Sequence, residues 1–173
     1  MKPLFKFVDD QYPFKGVTHT REVVRAILLD ESNNVCLEKI EDDDMFGHRD
    51  YYETPGGGVK QGESHAQALN RETSEELGFA CEIVCFLGEV DDFYNLIKRE
   101  NHNYFYLAKR TNKTQQKLEP GEKQRIAKII WVSIDEAISL YEKMQNEFVG
   151  KLVKQRELPI LKLAKTALQC KMK

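Results

Sequence analysis

The sequence predicts an α/β fold in which strands are layered against helices. Three observations carry this: apolar, β-branched runs of strand length, helix starts marked by capping residues, and turn chemistry between them. VVRAILL at 23–29 reads as a buried strand. VCLEKI at 35–40 follows across the turn signal DESNN at 30–34, so the two make a hairpin. Ahead of them, residues 1–21 mix Phe5, Phe7, Tyr12 and Phe14 with charges and Pro13; an edge strand and an arm both fit.

The polar stretch EDDDMFGHRD at 41–50 reads as a loop, with the acidic run Glu41, Asp42, Asp43 and Asp44 solvated. YYETP is extended, because Pro55 keeps Thr54 out of the helical region. Ser64 followed by Gln67 is a capping box that starts a helix at His65, and Gly78 supplies its left-handed C-cap. Ala66, Leu69, Thr73 and Leu77 form that helix's core stripe.

CEIVCFLGEV alternates as a strand to about Asp91, and HNYFYLAK at 102–109 is the next. RTNKTQQKLEPGEKQR at 110–125 reads as a polar loop turning at Pro120-Gly121. IAKIIWV is a further strand, Ser133 with Glu136 caps a helix over 134–147, and Pro159 opens a last helix through PILKLAKTAL.

The 173 residues fit one domain, 1–173, with 41% hydrophobic residues for a core. A net charge of −2 provides no global field toward nucleic acid or a membrane. No apolar run approaches the roughly 20 residues of a spanning helix. MKPLFKFVDD has no secretory pattern, so a cytoplasmic location is expected. Cys36, Cys81, Cys85 and Cys170 lack metal-site spacing, and Cys81 and Cys85 are read as core residues on one strand face. The segment 151–173 has seven Lys/Arg against the single acid Glu157: a solvated basic helix face, or a patch for polyphosphate or nucleic acid.

The chemistry concentrates between residues 56 and 79. On the predicted helix Glu72, Glu75 and Glu76 fall within one arc of about 100°. Three carboxylates so placed repel one another unless a cation lies between them, and a hard divalent ion takes oxygen ligands. The spacing of Gly57, Glu63, Arg71, Glu72, Glu75, Glu76 and Gly78 resembles the signature of the Nudix (MutT-like) hydrolases at all seven fixed positions. Thr73 and Phe79 depart from it mildly, standing where the family prefers aliphatic residues. The stretch WVSIDEA at 131–137 also looks like this family.

The resemblance implies an α/β/α sandwich with a mixed sheet. It implies a pyrophosphohydrolase that cleaves a diphosphate linkage in a nucleoside diphosphate joined to a moiety X, using Mg²⁺ or Mn²⁺. Glu72, Glu75 and Glu76, with the Gly56 carbonyl, would be the ligands. Arg71 would orient them and hold Glu63, while Gly57 and Gly58 let the backbone approach the substrate. The general base is Glu72 in some relatives and a loop carboxylate in others. Here the loop candidates are Glu122, the favoured one, then Glu119 and Glu100. His48, His65 and His102 are read as non-catalytic.

Tyr51, Tyr52 or Tyr104 could stack on a base, although core or strand-surface roles are commoner. No subfamily mark for the substrate is present: Tyr94 stands where a proline accompanies ADP-ribose pyrophosphatases, and Leu96 where a tyrosine accompanies dinucleoside polyphosphates. The expected partner is a small-molecule nucleotide, with a homodimer compatible and neither membrane nor nucleic acid expected. A nucleotide or nucleotide-sugar sensor on the same fold is the alternative, and an isomerase a weaker one. The intact signature and the short C-terminus favour the enzyme.

Overall fold

The computed structural model describes residues 2–144 and 147–171. Its strands are β1 (Phe5–Val8), β2 (His19–Leu29), β3 (Val35–Asp44), β4 (Gly47–Glu53), β5 (Gly56–Gly58), β6 (Phe79–Tyr94), β7 (Arg99–Lys113) and β8 (Ile126–Val132). The helices are α1 (His65–Leu77), α2 (Pro120–Arg125), α3 (Ile134–Lys143) and α4 (Phe148–Lys171). All eight strands join in one mixed sheet, ordered β1-β6-β7-β2-β3-β4, with β5 also on β2 and β8 also on β3. β1 runs parallel to β6 and β2 parallel to β7, while β6–β7, β3–β4 and β3–β8 are antiparallel.

β2 explains the continuous apolar run VVRAILL. Val24, Ala26 and Leu28 enter the core beneath α1, while Ile27 and Leu29 enter the core beneath α3 and α4. A strand buried on both faces shows no alternation. Helices therefore cover both faces of the sheet, which is the predicted sandwich. No helix among the described residues is long and apolar enough to cross a membrane.

Several elements differ from the expected ones. The β2–β3 hairpin pairs only at Leu29↔Val35; the same edge of β2 is taken further back by β5, at Val23 to Arg25. Residues 41–50 form a strand hairpin turning at Met45 and Phe46, not a loop. Its polar residues stabilise the ladder across the strands, with His48 Nδ1 2.9 Å from Asp43 and Arg49 paired to Asp44. Residues 110–125 are mostly structured: β7 runs on to Lys113, and Pro120-Gly121 begins α2. α3 stops at Lys143, and residues 145 and 146 of the expected helix lie outside the described residues. On α1 it is Ala68, not Ala66, that is buried with Leu69, Thr73 and Leu77. A register shift between Ile83 and Cys85 turns Cys85 to the α4 side, whereas Cys81 faces the α1 side.

The largest difference is α4, which starts at Phe148 and carries Pro159 in its interior. The turn before the proline holds Arg156 and Glu157, both buried. Arg156 donates to Asp92 at 3.0 Å, to Glu53 at 2.8 Å and to Glu157 at 2.6 Å. Glu157 also accepts from the Thr54 N–H at 2.8 Å and the Tyr141 hydroxyl at 2.6 Å. Arg25 completes this buried set by pairing with Glu53 and donating to the Thr54 carbonyl at 2.8 Å. The network ties β2, β4, β6, α3 and α4 together behind the end of β4, from which the chain enters the glycines.

Candidate active site

α1 is locally encoded. The Ser64 backbone N–H donates to Gln67 Oε1 at 2.9 Å, and the Gln67 N–H to Ser64 Oγ at 3.3 Å. Gly78 closes the helix at φ +72°, its N–H reaching the Ser74 carbonyl at 3.0 Å. With both ends fixed, Glu72 and Glu76 lie one turn apart, side by side and buried, on the face toward β5. Glu76 accepts from the Gly56 N–H at 2.9 Å. At Gly57 a Cβ would sit 2.4 Å from Glu72 Oε1, so only glycine lets the strand pass the carboxylate this closely.

Arg71 binds the loop and the helix into one unit. Its Nε and Nη2 clasp Glu63 at 2.7 and 2.9 Å, Nη1 reaches Glu72 at 2.7 Å and Glu75 at 3.1 Å, and Nη2 reaches the Gly58 carbonyl at 2.9 Å. The guanidinium holds the Glu63 carboxyl down to about 2, helped by the Lys60 N–H. Burial raises Glu72 although Arg71 pulls the other way. Glu76 is pushed well above the carboxylate range by burial, with Glu38 and Glu72 adding to it.

Carboxylate oxygens of Glu72, Glu76 and Glu122 lie within 4.8 Å of one another. Glu122 belongs to α2, and its Oε2 also accepts from the Glu119 N–H at 2.7 Å. Glu75 stands outside this trio, turned onto Arg71. The donors are all oxygens, two of the three side chains are buried, and like charges face one another, so the set fits a hard divalent cation. These groups sit at one end of a cleft of about 540 Å³ lined by polar and charged side chains. Of the other base candidates, Glu119 lines the cleft. Glu100 is not among its lining residues and pairs with Lys6 at 3.7 Å.

None of the histidines lines the cleft. His48 belongs to the β3–β4 hairpin, His65 stacks at 4.3 Å on Tyr104, and His102 holds Asp91 at 2.7 Å. Tyr104 and Tyr52 also face elsewhere; Tyr51 lines the cleft but is buried there. The other aromatic groups that line it are Tyr94 and Phe46, in edge contact at 6.0 Å. Sequence reasoning also missed Arg21, Arg25, Glu38, Glu53, Arg99, Asn101 and Asn103, all of which line the cleft. Only Arg25 and Glu38 left a trace, as charges interrupting otherwise apolar strand runs.

The model of the NUDIX domain family matches residues 19–155. The chain belongs to the Nudix family. That membership carries the enzyme class read from the signature, hydrolysis of phosphoric anhydrides, in a family that generally uses divalent metals. No curated protein matches the chain in sequence. Among solved structures, a Nudix hydrolase from Nitrosomonas europaea superposes with a TM-score of 0.64 at 18% identity, over 86% of this chain and 90% of that one. An ADP compounds hydrolase gives a TM-score of 0.63 at 19% identity, over 91% and 76%. A MutT Nudix hydrolase from Burkholderia pseudomallei gives 0.55 at 24% identity, over 68% and 85%. Likeness at these identities concerns the fold, and the Nudix fold is what this chain has.

Proposed function

We propose that this Nudix protein is a Mg²⁺- or Mn²⁺-dependent pyrophosphohydrolase that cleaves a diphosphate linkage in a nucleoside diphosphate joined to a moiety X, by attack of water on phosphorus. One observation carries the reading: Glu72, Glu76 and Glu122 converge within 4.8 Å at the end of a cleft large enough for a nucleotide. Glu72 and Glu76, with the Gly56 carbonyl, would hold the ion, and Glu75 would join them by turning from Arg71. When bound it supplies charge neutralisation to phosphate oxygens that otherwise repel a nucleophile.

The protein's own groups do the rest. Arg71, clasped by Glu63, keeps the ligand carboxylates in one orientation without spending their charge on solvent. Gly57 and Gly58 present bare backbone, so a diphosphate can lie against the strand. Glu122 is the base, taking the proton of the attacking water as its oxygen bonds to phosphorus. Glu122 starts near the two buried glutamates, and its side chain is oriented within α2 by the Glu119 N–H.

The test is a hydrolysis screen over nucleoside triphosphates, nucleotide sugars and dinucleoside polyphosphates with Mg²⁺ and Mn²⁺. Turnover that EDTA abolishes supports the reading. Tight nucleotide binding with no turnover on any of them would make the chain a sensor instead.

A further inference from the structure

Most of the cleft's guanidinium groups already have acids: Arg25, Arg49, Arg71 and Arg156 each hold a carboxylate. Arg125 has none in direct contact, but it stands beside Glu53, whose charge it answers. Arg21 and Arg99 are different. Among the described residues neither has a carboxylate within 4.0 Å, although both line the cleft.

The two stand on neighbouring parallel strands. Arg99 is in register with His19, and Arg21 lies two residues further along β2, on the same face of the sheet. Arg99 lies over the Tyr94 ring at 5.1 Å, and its Nε is buried without a partner. Arg21 presses on Gly58, where a Cβ would lie 2.7 Å from its Nε and Nη2. The floor beside them is neutral. Asn101, in register with Arg21, gives its Nδ2 to Asp92, and Asn103 gives its own to the Val90 carbonyl at 3.0 Å. Burial and the charges of Arg99 and Arg25 depress the Arg21 guanidinium's pKa and outweigh the pull of Glu72 and Glu53, neither of which it contacts directly.

We infer that Arg21 and Arg99 form an anion site for X, so that the substrate carries at least one phosphate beyond the diphosphate linkage that is cut. The inference rests on the pyrophosphohydrolase reading. Gly58 is the junction between the two parts of the cleft: Arg71 bonds its carbonyl from the acidic end, and Arg21 packs on its α-carbon from the other. A polyphosphate laid along the glycines passes from the acidic trio to the arginine pair. Planar guanidinium forks match phosphate oxygens in charge and geometry. An uncharged sugar as X would leave the half-buried Arg99 and the more exposed Arg21 facing the cleft without an anion in contact.

The experiment compares kcat/KM for ATP and diadenosine tetraphosphate with that for ADP-ribose, whose X is neutral, in the presence of Mg²⁺. The wild type should favour the substrates with a third phosphate, and R21Q and R99Q should each shrink that preference by about tenfold or more. R21K and R99K should retain more of it. A preference for ATP alone assigns a terminal phosphate, and a preference for both assigns any third phosphate. A ratio unchanged in both Gln variants overturns the inference, whether the two substrate classes lose activity equally or not at all.

Calorimetry on the wild type with Ca²⁺ needs neither variant nor turnover. Inorganic tripolyphosphate should bind about tenfold more tightly than pyrophosphate at low salt, and equal affinities would overturn the inference. Tighter tripolyphosphate binding in a protein that hydrolyses nothing keeps the arginine site and removes the hydrolase reading. Hydrolysis with an unshifted ratio removes the arginine site alone.

Discussion

Glu38 on β3 stands directly opposite Glu53 on β4, and their surroundings shift the two carboxyls in opposite directions. Burial, reinforced by the charge of Glu53, raises Glu38 to about 8, and its Oε1 has no hydrogen-bond partner. Burial acts on Glu53 too, but Arg25 and Arg156 outweigh it and hold that carboxyl at about 2. The arginines of the buried network thus fix one charge, and that charge helps to keep its neighbour protonated.

The first prediction is the pH dependence of stability without metal. For Glu53 the folded-state pKa lies below the ordinary 4.5, so its contribution is complete above about 4.5 and is lost as pH falls through 2. That contribution is roughly 3 kcal/mol. Glu38 has the opposite sign: its folded form keeps the proton, so stability declines as pH rises from about 4.5 to 8. Urea unfolding in EDTA from pH 3 to 8 reads both. E38Q should flatten the alkaline decline, whereas E53Q should be less stable at pH 6 and lose the acid slope. An E38Q protein with the wild-type decline would assign that slope elsewhere.

A second expectation concerns Glu76, buried beside Glu72 with the Gly56 N–H against it. Glutamine keeps an acceptor for that N–H and removes a carboxyl that burial forces the metal-free fold to hold protonated well above its ordinary range. E76Q should therefore melt at a higher temperature than the wild type in EDTA, yet lose activity by about 10² or more. Calorimetric melting with and without Mn²⁺ separates the two effects, because stabilisation by Mn²⁺ should also shrink. A variant stabilised by Mn²⁺ as much as the wild type would remove Glu76 from the metal site.

Arg71 makes five hydrogen bonds to Glu63, Glu72, Glu75 and the Gly58 carbonyl. Lysine keeps the charge but cannot span these acceptors. R71K should lower turnover by roughly tenfold to a hundredfold with little change in melting temperature. A large rise in KM at unchanged kcat would make Arg71 a substrate contact rather than an orienting group.

How much of this was legible depends on range. α1 and its glutamates could be read because both caps lie within a few residues of the helix, and helical pitch does the rest. The apolar runs of β2 and β8 were equally local. What stayed hidden depends on partners far along the chain. Arg156 and Glu157 looked like a solvated face, since their partners Glu53 and Asp92 lie 103 and 64 residues away. α4 was read too short for a different reason: Pro159 looked like a helix start, whereas it lies inside the helix. The 41–50 hairpin was hidden the same way, its charges being cross-strand partners and not solvent contacts. Arg21 and Arg99 gave no sequence signal, for only the parallel pairing of β2 with β7 brings them together.

The last prediction concerns Glu122, whose position within 4.8 Å of Glu72 and Glu76 is compatible with two roles that different measurements separate. As the base it must be free to receive a proton, so E122Q should lower kcat by roughly 10² to 10⁴ while Mn²⁺ affinity stays near that of the wild type. As a ligand it should weaken Mn²⁺ binding, and high Mn²⁺ should restore part of the turnover. The local structure favours the base. Glu122 Oε2 is already engaged by the Glu119 N–H, and α2 is a six-residue helix with no buried residue, free to shift as substrate enters. Glu72, the competing candidate, is buried, bonded to Arg71 and pressed on Gly57, so it has less freedom to exchange protons with the solvent. Titrating Mn²⁺ into E122Q and E72Q and taking kcat from pH 6 to 9 decides between them. Wild-type turnover in E122Q across that range would remove α2 from the chemistry and leave Glu72 to take the proton.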